Sequence, residues 1–221
     1  MRGWLFGRVV LVSTGLLVSC GGEGGLEPTG NPGAQVYTGH VASTDARVAL
    51  VEQGAQVRAY VCGGASSYGA LSRWFTLADV PASAATSAAT SAATAGRQVA
   101  GETDGWRLEG TLTGDRWEGQ LVAPEGSEVA WAAPRVPEGS SSGLYELTDE
   151  LGVIGAIVEQ DEGETVVQGT LLGKGGIRAQ VTPVRPMALP NDLRIQIAPG
   201  FSGPVESGPV VRRLVAVQPS Y

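Results

Sequence analysis

The chain has 221 residues, including 33 Gly and 13 Pro, and is 17% charged and 43% hydrophobic; glycine usually makes up only about 7%. These values exclude collagen, a coiled coil, a disulfide-dense miniprotein and a disordered acidic chain. They fit one medium domain, or two small ones, rich in turns. Formal net charge is −7, which argues against nucleic acid as a partner, because phosphate backbones are held by basic patches.

Residues 1–20 read MRGWLFGRVVLVSTGLLVSC. Arg2 and Arg8 form a positive leader, and Val9–Val18 is an apolar run, interrupted only by Ser13, Thr14 and Gly15, far short of the roughly 20 residues that span a bilayer. Leu17, Val18, Ser19 and Cys20 follow, where an ordinary secretory signal would carry an A-x-A site. This quartet resembles the bacterial lipobox. The resemblance implies that residues 1–19 are a lipoprotein signal peptide, and that Cys20 becomes the amino terminus and carries a thioether-linked diacylglyceride and a further acyl chain. At about 0.8 kcal/mol per buried methylene, several chains anchor a protein where one would not. Gly21 stands where an acidic residue would signal inner-membrane retention, so the resemblance implies the outer membrane. Without Arg2 and Arg8 the exported chain has 13 basic against 22 acidic residues, a net charge of −9.

Residues 21–34, with six glycines and two prolines, have almost nothing to bury; residues 20–34 therefore read as a flexible tether. With Cys20 acylated, Cys62 has no partner for an intramolecular disulfide. Cys62 and His40 are too few for a structural zinc site, and no cofactor is expected. Asp161-Glu162-Gly163-Glu164 matches no EF-hand spacing and reads as a solvated hairpin tip.

From Gln35 onward, alternation of period two returns in short runs separated by Gly, Pro, Asp or Ser. The pattern predicts strands at 35–41, 46–53, 56–62, 72–77, 105–113, 116–123, 128–133, 143–147, 152–159, 165–172, 177–183, 192–198 and 209–217. The fold class that follows is all-β, an antiparallel sandwich or barrel of short strands and hairpins. Residues 35–221 are expected to form one β-rich domain, because neither half should close its sheet edges alone. The linker at 134–143, PRVPEGSSSG, marks a sub-division. SAAT, repeated three times within the low-complexity segment 82–97, reads as a surface loop without chemistry.

The hairpin 105–123 has the firmest register. A two-residue turn at Gly114-Asp115 sets Leu112 opposite Trp117, Gly110 opposite Gly119 and Leu108 opposite Leu121. The apolar face is then Trp106, Leu108, Leu112, Trp117 and Leu121. The paired glycines leave a notch that a large ring, Trp131, can fill. A one-residue slip would bury Arg107, Glu109, Arg116 and Glu118 together.

Register arithmetic also aligns the chemistry-bearing residues. A turn at Gly54-Ala55 puts Arg47 opposite Cys62, and a loop at Ala42–Asp45 puts His40 opposite Arg47, with Tyr60, Arg58 and Thr38 nearby. A thiol beside arginine can be acidified into a nucleophile. However, His40 and Cys62 would lie two strand spacings apart, about 9.6 Å, where proton transfer needs about 3 Å. A polar sheet face with a small, unreactive cysteine is the better reading. Gly139-Ser140-Ser141-Ser142-Gly143 matches G-x-S-x-G but lacks the strand before it and the helix after it that a nucleophile elbow needs. Gly169–Gly175 is too short for a Walker loop. Of the tryptophans, Trp106, Trp117 and Trp131 alternate in phase with core residues. Trp74, in Arg73-Trp74-Phe75, is the candidate for an exposed ligand platform.

Val57–Gly64, VRAYVCGG, followed by a Trp-bearing strand, glycine-rich hairpins and Gly143-Leu144-Tyr145, resembles a class of exported bacterial β-rich proteins. That resemblance covers most of residues 45–185 and implies no catalytic or binding residues. The resulting expectation is a lipid-anchored envelope protein with a non-enzymatic β-rich module, structural or binding. Its partners are the membrane through the anchor, and an envelope protein or cell-wall glycan. A glycan-binding module using exposed tryptophan ranks second, and a cysteine-dependent hydrolase third.

Overall fold

The computed structural model describes residues 34–81, 96–187, 189–197 and 210–217. The signal peptide, almost all of the tether and the three SAAT repeats lie outside them. Eight strands form a first barrel: β1 (Gln35–Val41), β2 (Arg47–Gln53), β3 (Gln56–Cys62), β4 (Arg73–Asp79), β5 (Arg97–Thr103), β6 (Trp106–Thr113), β7 (Arg116–Val122) and β8 (Glu128–Pro134). Six form a second: β9 (Gly143–Thr148), β10 (Gly152–Asp161), β11 (Glu164–Gly173), β12 (Arg178–Pro183), β13 (Leu193–Ile197) and β14 (Val210–Ala216). Each strand pairs antiparallel with its sequence neighbour, and β8 on β1 and β14 on β9 close the two rings.

The all-β fold is thus what the alternation predicts, but the expectation that neither half could close alone is overturned. Each half is an up-and-down meander, and a ring of antiparallel neighbours leaves no edge to protect. The barrels meet at the connector 135–142, where the linker was read. One strand was missed. In β5, RQVAGET, only Val99 is buried, and Arg97, read as part of the low-complexity loop, begins it.

Eight strands make a barrel whose interior side chains just fill. Here Tyr37, Leu50, Phe75, Leu108, Trp117 and Trp131 occupy it. The 105–123 hairpin has the expected register, and Gly114 takes φ +60° at its turn. Trp131 fills the glycine notch: a Cβ on Gly110 would stand 2.8 Å from its ring, while the indole nitrogen donates to the Glu109 carbonyl at 3.1 Å. Trp117 meets Tyr37 edge-on, with ring centres 6.3 Å apart. Where β1 and β8 close the ring, a Cβ on Gly39 would lie 2.0 Å from the Ala132 carbonyl oxygen, so a side chain there would prevent closure. The second barrel is filled by Tyr145, Ile154, Leu171, Ile195 and Leu214.

A third cluster joins the barrels. Ala49, Val51, Tyr60 and Cys62 on the outer face of the first pack against Leu144, Ile157 and Val217 of the second. Arg58 of β3 donates to Glu146 of β9 at 2.9 Å, and Arg178 of β12 donates to the Gly69 carbonyl at 2.8 Å. Gly69 lies in a single helical turn, α1 (Tyr68–Leu71), within the loop from β3 to β4.

Candidate functional site at the seam between the barrels

The row inferred from turn lengths is present: His40 pairs with Arg47, and Arg47 with Cys62. It continues across the barrel, since Ala132 lies opposite both His40 and Glu118. The second barrel covers the inner half of this row. Glu159 of β10 forms an ion pair with Arg47, both side chains almost buried, and lies 3.6 Å from the His40 imidazole. The imidazole itself is 64% exposed. Partial burial, and after it the neighbouring Arg47 charge, lower its pKa from the ordinary value, with Asp161 acting in the opposite sense.

Cys62 is fully buried at the centre of the seam. Its thiol lies 3.6 Å from the Thr170 hydroxyl, which is 2.9 Å from that of Ser72. Ser72 in turn accepts from the Gly63 amide at 3.0 Å, and Gln168 donates to the Cys62 carbonyl. Burial pushes the thiol up to about 11. A nucleophile needs an accessible thiolate, and Cys62 has neither access nor charge, because Arg47 is turned to Glu159. These hydroxyls make a closed polar patch within an apolar interface, as buried polar atoms require.

Trp74, read as an exposed platform, is half-buried and belongs to the same seam. Its ring lies 4.5 Å from that of Tyr60, with the Arg58 guanidinium 4.8 Å from its centre. Trp106 lies beneath the guanidinium of the buried Arg73, 4.1 Å away. Burial brings the Arg73 pKa down to about 10. The G-x-S-x-G stretch is connector followed directly by β9, with Gly139 at φ +77°. Asp161 and Glu164 close a tight β10–β11 hairpin through Glu162 and Gly163, both at positive φ. Among the described residues no three His, Cys, Asp or Glu side chains are grouped to hold a metal ion.

A groove of about 1070 Å³ runs along this seam. Its floor is the outer face of β7, β8 and β1, with Gln120, Ala130, Ala132 and His40. Its walls are the connector, through Pro137, Ser140 and Ser142, and the end of β10, through Glu159, Gln160 and Asp161. The connector is fastened at both sides. Arg135 and Val136 donate backbone bonds of 2.8 Å to Asp115 and Val36, and the Gln160 amide donates to the Ser142 hydroxyl at 3.2 Å.

Glu159, Thr170, Gln168 and Gln120 were not singled out from the sequence. A signal for the seam was present, though. Val48–Val51 and Ile154–Val158 are unbroken apolar or glycine-containing runs, the pattern of strands buried on both faces.

Comparison of the chain with family models, with curated proteins and with solved structures found no match.

Proposed function

We propose that this protein is a lipid-anchored component of a bacterial envelope, held in the outer membrane through Cys20, whose two-barrel body is a non-enzymatic binding or structural module. The observation that carries the reading is the leader: a positive start, a ten-residue apolar run and Leu17-Val18-Ser19-Cys20, followed by a tether with nothing to bury. The body is consistent with it. Both interiors are packed with side chains, the thiol is enclosed and protonated, and the large groove lies outside the barrels, where a partner would have access.

Metabolic labelling with radioactive palmitate tests the anchor. The expected result is label in the mature protein and its partition into the membrane fraction, both lost in Cys20→Ala. An unlabelled protein, or one whose fractionation is indifferent to Cys20→Ala, removes the reading.

A further inference from the structure

The geometry points to a saccharide-binding site in the seam groove, one that takes an uncharged, hydroxyl-rich oligosaccharide across Ala130 and Ala132 between Gln120 and His40. This rests on the binding reading above and gives it a ligand class.

Register builds the trough. On the outer face of the first barrel Gln120 pairs with Ala130, Glu118 with Ala132, and Ala132 with His40. Ala132 therefore lies between Glu118 on β7 and His40 on β1, and Ala130 between Gln120 and Ala42, leaving a furrow with a small apolar floor of methyl groups. Pro137 adds a second apolar surface, and Ser140, Ser142 and Gln160 line the opposite wall. The volume is at the upper end of that of small-ligand sites, room for more than one sugar ring.

Charge selects the class. Arg116 pairs with Glu118 at 2.6 Å, Arg135 lies 3.6 Å from Asp115, and Arg47 is engaged by Glu159. The guanidiniums lining or backing the groove thus already face carboxylates, so a phosphate or sulfate finds no free cation. What remains is a mixture of donors and acceptors, imidazole, carboxamides and hydroxyls, together with the Asp161 carboxylate, and hydroxyl groups can donate to that carboxylate as well. Dense hydroxyls that both donate and accept match such a surface. The wall is also pre-arranged, since Ser142 and Ser141 already hold the Gln160 backbone amide and side chain at 3.2 and 3.3 Å, which limits the ordering cost on binding.

His40 is the only histidine in the chain, so its imidazole gives a unique nuclear magnetic resonance signal at the groove. The experiment titrates the full mature chain, in detergent micelles, with maltotetraose, cellotetraose and the β-1,4-linked tetramer of N-acetylglucosamine. Inorganic phosphate and tetralysine serve as charged counter-probes. The expected result is a saturable imidazole shift with at least one of the neutral tetramers. Ala130→Phe, which fills the floor from an exposed position, should weaken it by about tenfold or more. Gln120→Ala should weaken it less, and urea midpoints report that both variants remain folded. No shift with any tetramer overturns the site, as does a shift indifferent to Ala130→Phe in a folded variant. A response to phosphate or tetralysine alone overturns the saccharide class while leaving the groove a binding surface. None of these outcomes bears on palmitate labelling, so the failure of the site and the failure of the anchor are told apart.

Discussion

Gly155 of β10 lies beneath the ring of Tyr60 of β3, so close that a Cβ on it would stand 2.7 Å from Tyr60 Cε1 and 2.9 Å from the Trp74 ring. The absence of a side chain at this position lets the second barrel settle against the aromatic pair on the first. Gly155→Ala should therefore force the barrels apart and cost about 1–3 kcal/mol, the usual range for overpacking. Urea denaturation checks it. The midpoint should fall and the Trp74 contribution to fluorescence should shift to the red, while Gly54→Ala, at a turn with open space around it, leaves that fluorescence unchanged.

Cys62 lies on the same interface. With its thiol raised to about 11 and fully buried, alkylation at pH 8 should be slow and limited by opening of the seam, becoming rapid only in denaturant. Gly155→Ala, by loosening the seam, should accelerate it. Stoichiometric labelling of the native protein within seconds near neutral pH would show an accessible thiolate and revive Cys62 as a nucleophile.

The notch formed by Gly110 and Gly119 gives a paired test inside the first barrel. Trp131→Ala leaves a cavity and should cost about 3–5 kcal/mol. Gly110→Ala places a methyl group against the Trp131 ring and should cost about 1–3 kcal/mol. Because the methyl group and the ring compete for one volume, the double variant should be more stable than the sum of the two losses predicts. Strict additivity in a double-mutant cycle would mean that the ring does not sit in the notch.

Asp45 should contribute to the acid limb of stability. It accepts from the Ser66 amide at 2.8 Å and the Ser66 hydroxyl at 2.6 Å, and also from the Ser67 hydroxyl. These bonds hold its carboxyl at about 2, below the ordinary 3.8. A carboxylate depressed in the folded state stabilises fully above the unfolded value, and its contribution is lost as pH falls through the folded one. Stability should thus decline between pH 3.8 and about 2. Asp45→Asn should flatten that part of the profile, read as urea midpoints across the range. An unchanged slope in Asp45→Asn would assign the acid sensitivity elsewhere.

The alternation of Val57 and Ala59 with Arg58, and of Trp117 and Leu121 with Glu118 and Gln120, determines which faces turn inward. The two-residue turns at Gly54 and Gly114 and the four-residue loop Ala42–Asp45 determine the register, because a short connection constrains which residues can pair. That is why the row His40–Arg47–Cys62 and the Trp131 notch were legible from the sequence. Strand β5 was not, since Val99 is its sole buried side chain and no hydrophobic pattern distinguishes it.

What surrounds the row was decided only in three dimensions. The bonds from Arg58 to Glu146 and from Gln168 to the Asp45 carbonyl join residues 88 and 123 positions apart, and no turn length constrains them. Period-two spacing distinguishes the two faces of a strand but does not say whether the outer one meets water or another sheet. The docking of one closed barrel on the other buries Cys62, engages Trp74, turns Arg47 toward Glu159 and, where the contact opens beside Ala130, leaves the groove.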